Sequence, residues 1–216
     1  MPNQVSRRRR PQQLTFARHG GWGGPRKGAG RKPRGERPGV SHATRGALAA
    51  RFPVHVTLRV LPHVWNLRSR RSFRVIARAF AAGGDRFGMR LCEYSIQGNH
   101  LHLLVEAADQ RALSRGMQGL SIRLARGLNA LMGRQGKVLA DRFHARILRS
   151  PTEVKRVLAY VRDNRDIHRA RRGEKVTGKA ADPYSSASRD PSLAVVLPEA
   201  HSWLLARARA EHEAPA

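Results

Sequence analysis

Gln97-Gly98-Asn99-His100-Leu101-His102-Leu103-Leu104-Val105-Glu106 sets a turn directly before a strand. Strand side chains alternate between two faces. His100, His102 and Leu104 therefore share one face, and Leu101, Leu103 and Val105 share the other. The apolar set can bury itself under helices while the two imidazoles project together from the opposite side. Two neutral imidazoles held in this way make half of a divalent-metal site. The same pair can also lie on a partly exposed sheet face with no ligand. Gln97-Gly98-Asn99 suits a tight turn because Gly and Asn tolerate positive φ. Met89 to Ile96 is expected to precede it as the other arm of a hairpin.

Working outward, Val54-His55-Val56-Thr57-Leu58-Arg59-Val60 alternates as a strand, with the valines and Leu58 toward the core and His55, Thr57 and Arg59 on the other face. Phe73, Ile76, Ala77 and Phe80 give a helix from Arg70 to about Ala82, stopped by Gly83-Gly84. Leu113, Met117, Leu120, Leu124, Leu128 and Leu131 mark a long helix from Gln110 to about Met132. Phe143 to Arg149 reads as a fourth strand. Ser150-Pro151-Thr152-Glu153 then opens a helix to about Ile167, with Ser150 as N-cap, Pro151 at the first helical position and Glu153 closing a capping box. The order is strand-helix-strand-strand-helix-strand and a last helix. This predicts an α+β, ferredoxin-like βαββαβ core with an antiparallel sheet. Right-handed crossovers would place the first and third strands centrally, bringing His100 and His102 beside Thr57 and Arg59 on an open face. Asp85, Glu93 and Glu106 read as surface charges, with Glu106 also placed to support the site from the strand end.

Three segments follow: an arm over 1–50, a core domain over 51–170, and an extension over 171–216 with a short helix and no evident chemistry. The chain carries 42 Lys plus Arg against 15 Asp plus Glu, a net charge of +27. Residues 1–50 hold 12 basic and one acidic residue, and the remaining 166 hold 30 and 14, so the core is basic in its own right. Such an excess favours a polyanion, with nucleic acid first and an anionic membrane surface as the alternative. The arm is rich in Gly, Pro and Arg and reads as disordered. Within it Gly30-Arg31-Lys32-Pro33-Arg34-Gly35 looks like a loose AT-hook, which would lay Arg31, Lys32 and Arg34 into a minor groove; a generic basic tail is the alternative. On the second long helix Arg115, Arg123, Arg126 and Arg134 lie off the apolar stripe, to meet phosphate or only solvent. The sole cysteine, Cys92, rules out an intrachain disulfide or a multi-thiolate zinc site and reads as core. No apolar run reaches transmembrane length, and no apolar segment follows the basic N-terminus. A reducing cytosol is the expected compartment.

The last core helix carries Tyr160-Val161-Arg162-Asp163-Asn164. Tyr160 and Asn164 are four apart and share a helix face. Crossing the open sheet face would bring both over the histidines. A metal on His100, His102 and the Asn164 amide oxygen could polarise a phosphodiester, and Tyr160 could attack it to form a phosphotyrosine bond. Arg59, Arg162 or the metal would ease ionisation of the phenol.

These residues resemble those of the HUH single-tyrosine transposases, more closely the REP-associated tyrosine transposases. The resemblance is carried by Val54-His55-Val56-Thr57, Gly98-Asn99-His100-Leu101-His102 through Glu106, Asp141-Arg142-Phe143-His144-Ala145-Arg146 and Ala159 to Asn164, across roughly residues 50–170. It implies a metal-dependent nickase and strand transferase for single-stranded and hairpin, REP-like DNA. The intermediate would be a 5′-phosphotyrosine on Tyr160, with Mg²⁺ or Mn²⁺ on His100, His102 and Asn164. Arg59, Arg146 and Arg162, with the helix and arm cations, would contact DNA. The implied setting is a bacterial cytoplasm at the nucleoid, with the chain acting as a monomer or homodimer. Many relatives have Gln where Asn164 stands, and many have Pro in the turn where Gly98 stands. A domesticated relative that binds DNA without cutting it is the alternative.

Overall fold

The computed structural model describes residues 46–171, 173 and 181–213, without the side chains of 164–171 and 213. Most of the arm, including Arg31, Lys32 and Arg34, lies outside the described residues. The elements are β1 (Val54–Arg59), α1 (Arg70–Gly83), β2 (Asp85–Arg86), β3 (Met89–Ile96), β4 (His100–Ala107), α2 (Gln110–Leu131), β5 (His144–Ile147), α3 (Pro151–Arg171) and α4 (Trp203–Glu213), with a 3₁₀ turn at Pro191–Leu193. The strands form one antiparallel sheet in the order β2-β3-β4-β1-β5. This is the expected α+β, βαββαβ arrangement with β1 and β4 central, plus β2 as a short added edge. The β2–β3 hairpin turns through Phe87 (φ 59°) and Gly88 (φ 74°).

The helices begin where short polar side chains satisfy otherwise unpaired backbone N–H groups. Ser69 Oγ accepts from Ser72 N at 3.1 Å, Asp109 Oδ1 from Ala112 N at 2.7 Å and Ser150 Oγ from Glu153 N at 3.2 Å. Glu153 Oε2 reaches the Arg149 N–H at 2.8 Å, one residue before the partner a capping box would use. The turn before β4 needs no positive φ, contrary to expectation. It is held instead by backbone bonds from Gln97 N to His100 O (2.8 Å), Val60 N to Asn99 O (3.0 Å) and Leu67 N to Gly98 O (3.0 Å).

Each sheet face has its own core. On one, α1 and α2 bury Phe73, Ile76, Phe80, Leu113, Met117, Leu120 and Leu124 against Val56, Leu58, Leu101, Leu103 and Val105. Close approach explains Gly116 and Gly127, where a Cβ would stand 2.5 Å from Met89 Cβ and from Val75 Cγ1. On the other face α3 and α4 bury Val154, Leu158, Leu204, Leu205 and Ala208 against Cys92, Leu104 and Leu148. Burial pushes the Cys92 thiol up to about 12. Among the described residues no helix is long and apolar enough to cross a membrane.

Two expectations about charge fail here. Glu93 is 1% exposed and Glu106 5%, so neither is a surface carboxylate. Glu106 is covered by His201 and Ser202, and the face of Glu93 is set by a β-bulge between Leu91 and Glu93. Leu91 pairs with Val105 and Glu93 with Leu104, so the extra residue, Cys92, switches strand parity and turns Glu93 toward the α3–α4 side. Asp85 is exposed as expected.

Candidate active site

Four neighbouring register positions build the site. Thr57 pairs with His102, Arg59 with His100 and His55 with Leu104 across β1–β4, while Ser95 flanks His102 from β3. Directly opposed residues share a sheet face. His55, Thr57, His100 and His102 therefore lie together on the face that α3 crosses, and Arg59 stands exposed at its edge.

His100 Nε2 and His102 Nε2 are 3.1 Å apart, and the rings meet edge to face. The Tyr160 hydroxyl is 3.4 Å from His102 Nε2, with that ring also edge-on at a centroid distance of 5.1 Å. His102 is 6% exposed, and His100 and Tyr160 are half-buried. The pair of histidines and the tyrosine thus converge across 58 residues of sequence.

The outer nitrogens orient both rings. His100 Nδ1 is 2.8 Å from Asn99 Oδ1, an acceptor, so Nδ1 carries the hydrogen and Nε2 the lone pair. His102 Nδ1 is 3.2 Å from His55 Nε2 and 3.4 Å from Thr57 Oγ1. Burial, with His144 and Arg146 nearby, lowers the His55 pKa to about 4. His55 is therefore neutral at pH 7, and its Nε2 lone pair can accept from His102 Nδ1–H. That tautomer leaves a lone pair on His102 Nε2 as well. Two lone pairs 3.1 Å apart repel unless a proton or a cation lies between them. Ligand bonds of about 2.1 Å at right angles would give a separation of about 3.0 Å, so the pair fits a divalent ion. Among the described residues no group of three His, Cys, Asp or Glu side chains could hold a metal. The third ligand expected from the sequence is Asn164. Asn164 lies one turn beyond Tyr160 on α3, and its side chain lies outside the described residues.

Comparison with solved structures finds a dozen similar chains, three of which follow. A REP-associated tyrosine transposase bound to a REP hairpin matches over 60% of this chain and 74% of its own, at 11% identity and a TM-score of 0.45. A Deinococcus radiodurans protein assigned to the transposases matches over 63% and 98%, at 11% identity and 0.39. A bacterial tRNA(His) guanylyltransferase-like protein in complex with GTP matches over 58% and 70%, at 14% identity and 0.38. No family model matches the sequence, and no curated protein does. These TM-scores are low, and the functional reading rests on the site's own geometry.

The remaining cations are scattered. Arg146 is exposed on β5 beside His55 and pairs with Glu153 at 2.7 Å. Arg123 and Arg126 stand on α2, across the sheet from the histidines, and Arg123 Nη1 donates to Gly119 O at 3.1 Å. Arg162 points away from the tyrosine pocket and meets Glu93, with Nη2–Oε1 at 3.0 Å. The sequence reading assigned no task to Asn99 or to His55 as supports of the imidazoles. The register that seats His55 behind His102 emerges only once β1 and β4 are paired.

Proposed function

We propose that this chain is a metal-dependent endonuclease and strand transferase for single-stranded, hairpin-forming DNA, acting through Tyr160. The observation that carries the reading is the approach of His102 Nε2 to both His100 Nε2, at 3.1 Å, and Tyr160 Oη, at 3.4 Å, on one sheet face of a strongly basic chain. His100, His102 and Asn164 would hold Mg²⁺ or Mn²⁺, which draws charge from the non-bridging oxygens of the scissile phosphate when bound. Tyr160 Oη attacks phosphorus, and the bond from phosphorus to the 3′ oxygen breaks. The phenol gives up one proton and the leaving 3′ oxygen takes one up, so the step is proton-neutral. The 5′-phosphotyrosine keeps the energy of the ester. A 3′-hydroxyl can then attack it, releasing Tyr160 and joining strands. Arg59, exposed beside His100 at the edge of the site, would meet the phosphate chain. The motif resemblance to REP-associated tyrosine transposases supports the same chemistry.

The test is a labelled single-stranded hairpin incubated with wild type or Tyr160→Phe, with Mg²⁺, Mn²⁺ or EDTA, and run on a denaturing protein gel. A metal-dependent adduct lost in the variant is expected. Binding without adduct on every hairpin and metal tried would leave a DNA-binding protein and sink the enzyme reading.

A further inference from the structure

Glu93 is the most deeply buried charge among the described residues, and nothing in the proposed chemistry uses it. A buried carboxylate persists only when charged and polar donors surround it. Those around Glu93 come from three parts of the chain. Arg162 of α3 donates from Nη2 to Oε1 at 3.0 Å and from Nε to Oε2 at 3.5 Å. Arg209 of α4 donates from Nε to Oε1 at 2.7 Å and from Nη2 to Cys92 O. Ser186 Oγ donates to Oε2. One carboxylate thus ties the tyrosine helix and the last helix to the same point of β3.

The last helix is anchored independently. Glu106, at the far end of β4, accepts from His201 N (2.8 Å), Ser202 N (2.9 Å) and Ser202 Oγ (2.7 Å), capping the start of α4. Upstream, Asp182 takes both Arg68 nitrogens at 2.7 and 2.8 Å, and Ser186 N donates to Tyr94 O at 2.9 Å. Residues 182–213 form a strap that runs from β3 onto α3. Lys155 of α3 also pairs with Glu211 of α4.

Position on α3 gives the strap its consequence. Tyr160 and Arg162 flank Val161, which is fully buried. At about 100° per residue they leave the helix on opposite sides of the buried stripe. Fixing Arg162 therefore fixes the rotation of α3 and with it the aim of Tyr160. A turn of about 20° at a helix radius of about 6 Å moves a side chain about 2 Å, and about 1 Å of misplacement can cost on the order of 100-fold in rate.

We infer that Glu93 is a positioning residue: clamped by Arg162 and Arg209, it locks α3 in the rotation that aims Tyr160 at His100 and His102 of the same chain. The inference rests on the reading of Tyr160 as nucleophile. It gives the C-terminal segment a task that its sequence does not announce.

The test uses the full chain with Glu93→Gln, Arg209→Met and Arg209→Lys. Four quantities are read: adduct rate at saturating hairpin, hairpin affinity, Mn²⁺ affinity, and hydrogen exchange of peptides over 151–163. Expected for Glu93→Gln and Arg209→Met is a tenfold or greater loss of adduct rate at saturating Mn²⁺, faster exchange in α3, hairpin affinity within twofold of wild type, and a loss of Mn²⁺ affinity no larger than that of Asn164→Ala, whose ligand rides on the same helix. Arg209→Lys should recover part of the rate. Wild-type rates and exchange in both variants would overturn the clamp. So would a collapse of Mn²⁺ affinity to the level of His102→Ala, because Glu93 would then support the whole sheet rather than aim one helix. If wild type and Tyr160→Phe both fail to form adduct, the nucleophile reading falls, and α3 exchange alone decides whether the clamp exists.

Discussion

Replacing His55 with Ala should weaken Mn²⁺ binding without removing a ligand. The neutral His55 ring offers Nε2 to His102 Nδ1 at 3.2 Å and stacks on it, with centroids 5.3 Å apart and planes 26° from parallel. That contact selects the His102 tautomer whose Nε2 lone pair faces His100. Removing such a support typically costs 10–100-fold in metal affinity, about 1.4–2.8 kcal/mol. Thr57 Oγ1 remains at 3.4 Å, a longer contact that can also accept from Nδ1–H. A loss of about tenfold is therefore expected for His55→Ala, and a loss nearer 100-fold once Thr57→Val is added. His102→Ala, which deletes the ligand, sets the floor. Isothermal titration with Mn²⁺ at pH 7.5 reads all four proteins, with circular dichroism to confirm folding. His55→Ala within twofold of wild type would refute the tautomer argument. So would a double variant no weaker than the single one.

Two further outcomes test the framework around the site. Leu205 is fully buried between α3 and α4, so Leu205→Ala should cost about 2–5 kcal/mol. For a chain of this size that lowers Tm by about 6–12 °C at a mid-range loss of about 3 kcal/mol. A calorimetric shift under about 2 °C would mean that α4 does not dock. The lowered His55 pKa sets a pH dependence in metal-free protein. The folded ring refuses a proton until about pH 4, whereas the unfolded ring takes it near 6.5. The unfolded chain therefore binds more protons across that window, and stability falls as pH drops from 6.5 toward 4, by up to about 3 kcal/mol. Urea titrations in EDTA should show this slope for wild type and a shallower one for His55→Asn; equal slopes would assign the acid sensitivity to other groups.

The periodic features of the sequence were the legible ones. Leu101, Leu103 and Val105 alternate, the α2 leucines step by three and four, and Ser150 sits where a helix needs a cap. Those patterns depend on neighbours within a few residues, so strand order and the histidine face followed from them. Tyr160 was legible for the same reason, as a polar group beside the apolar stripe of α3. The buried carboxylates were not. Glu93 changes face because one extra residue, Cys92, interrupts the alternation, and no local pattern marks that insertion. Its partners lie 69, 93 and 116 residues away, and the His201 and Ser202 donors to Glu106 lie 95 and 96 residues away. Pairing over such distances is decided by packing rather than by propensity.

This difference bears on how the site is divided. The two imidazoles sit on β4, a central strand paired on both sides, and their aim is set by sheet register and by Asn99 and His55. Tyr160 sits on a helix whose apolar stripe, Val154, Leu158 and Val161, is short and whose far flank is secured by charge. A helix held by so little apolar surface is free to rotate or lift unless something else restrains it. The charged pairs to Glu93 and the apolar contact with α4 supply that restraint, and residues after 181 provide α4 together with the Arg209 and Ser186 donors that hold Glu93 in place for Arg162. The histidines can thus keep their geometry when the strap is disturbed, whereas Tyr160 cannot. Damage to the strap should therefore separate the two halves of the site: the imidazole pair still binds Mn²⁺, with at most the loss of the Asn164 contact, while transfer to tyrosine fails.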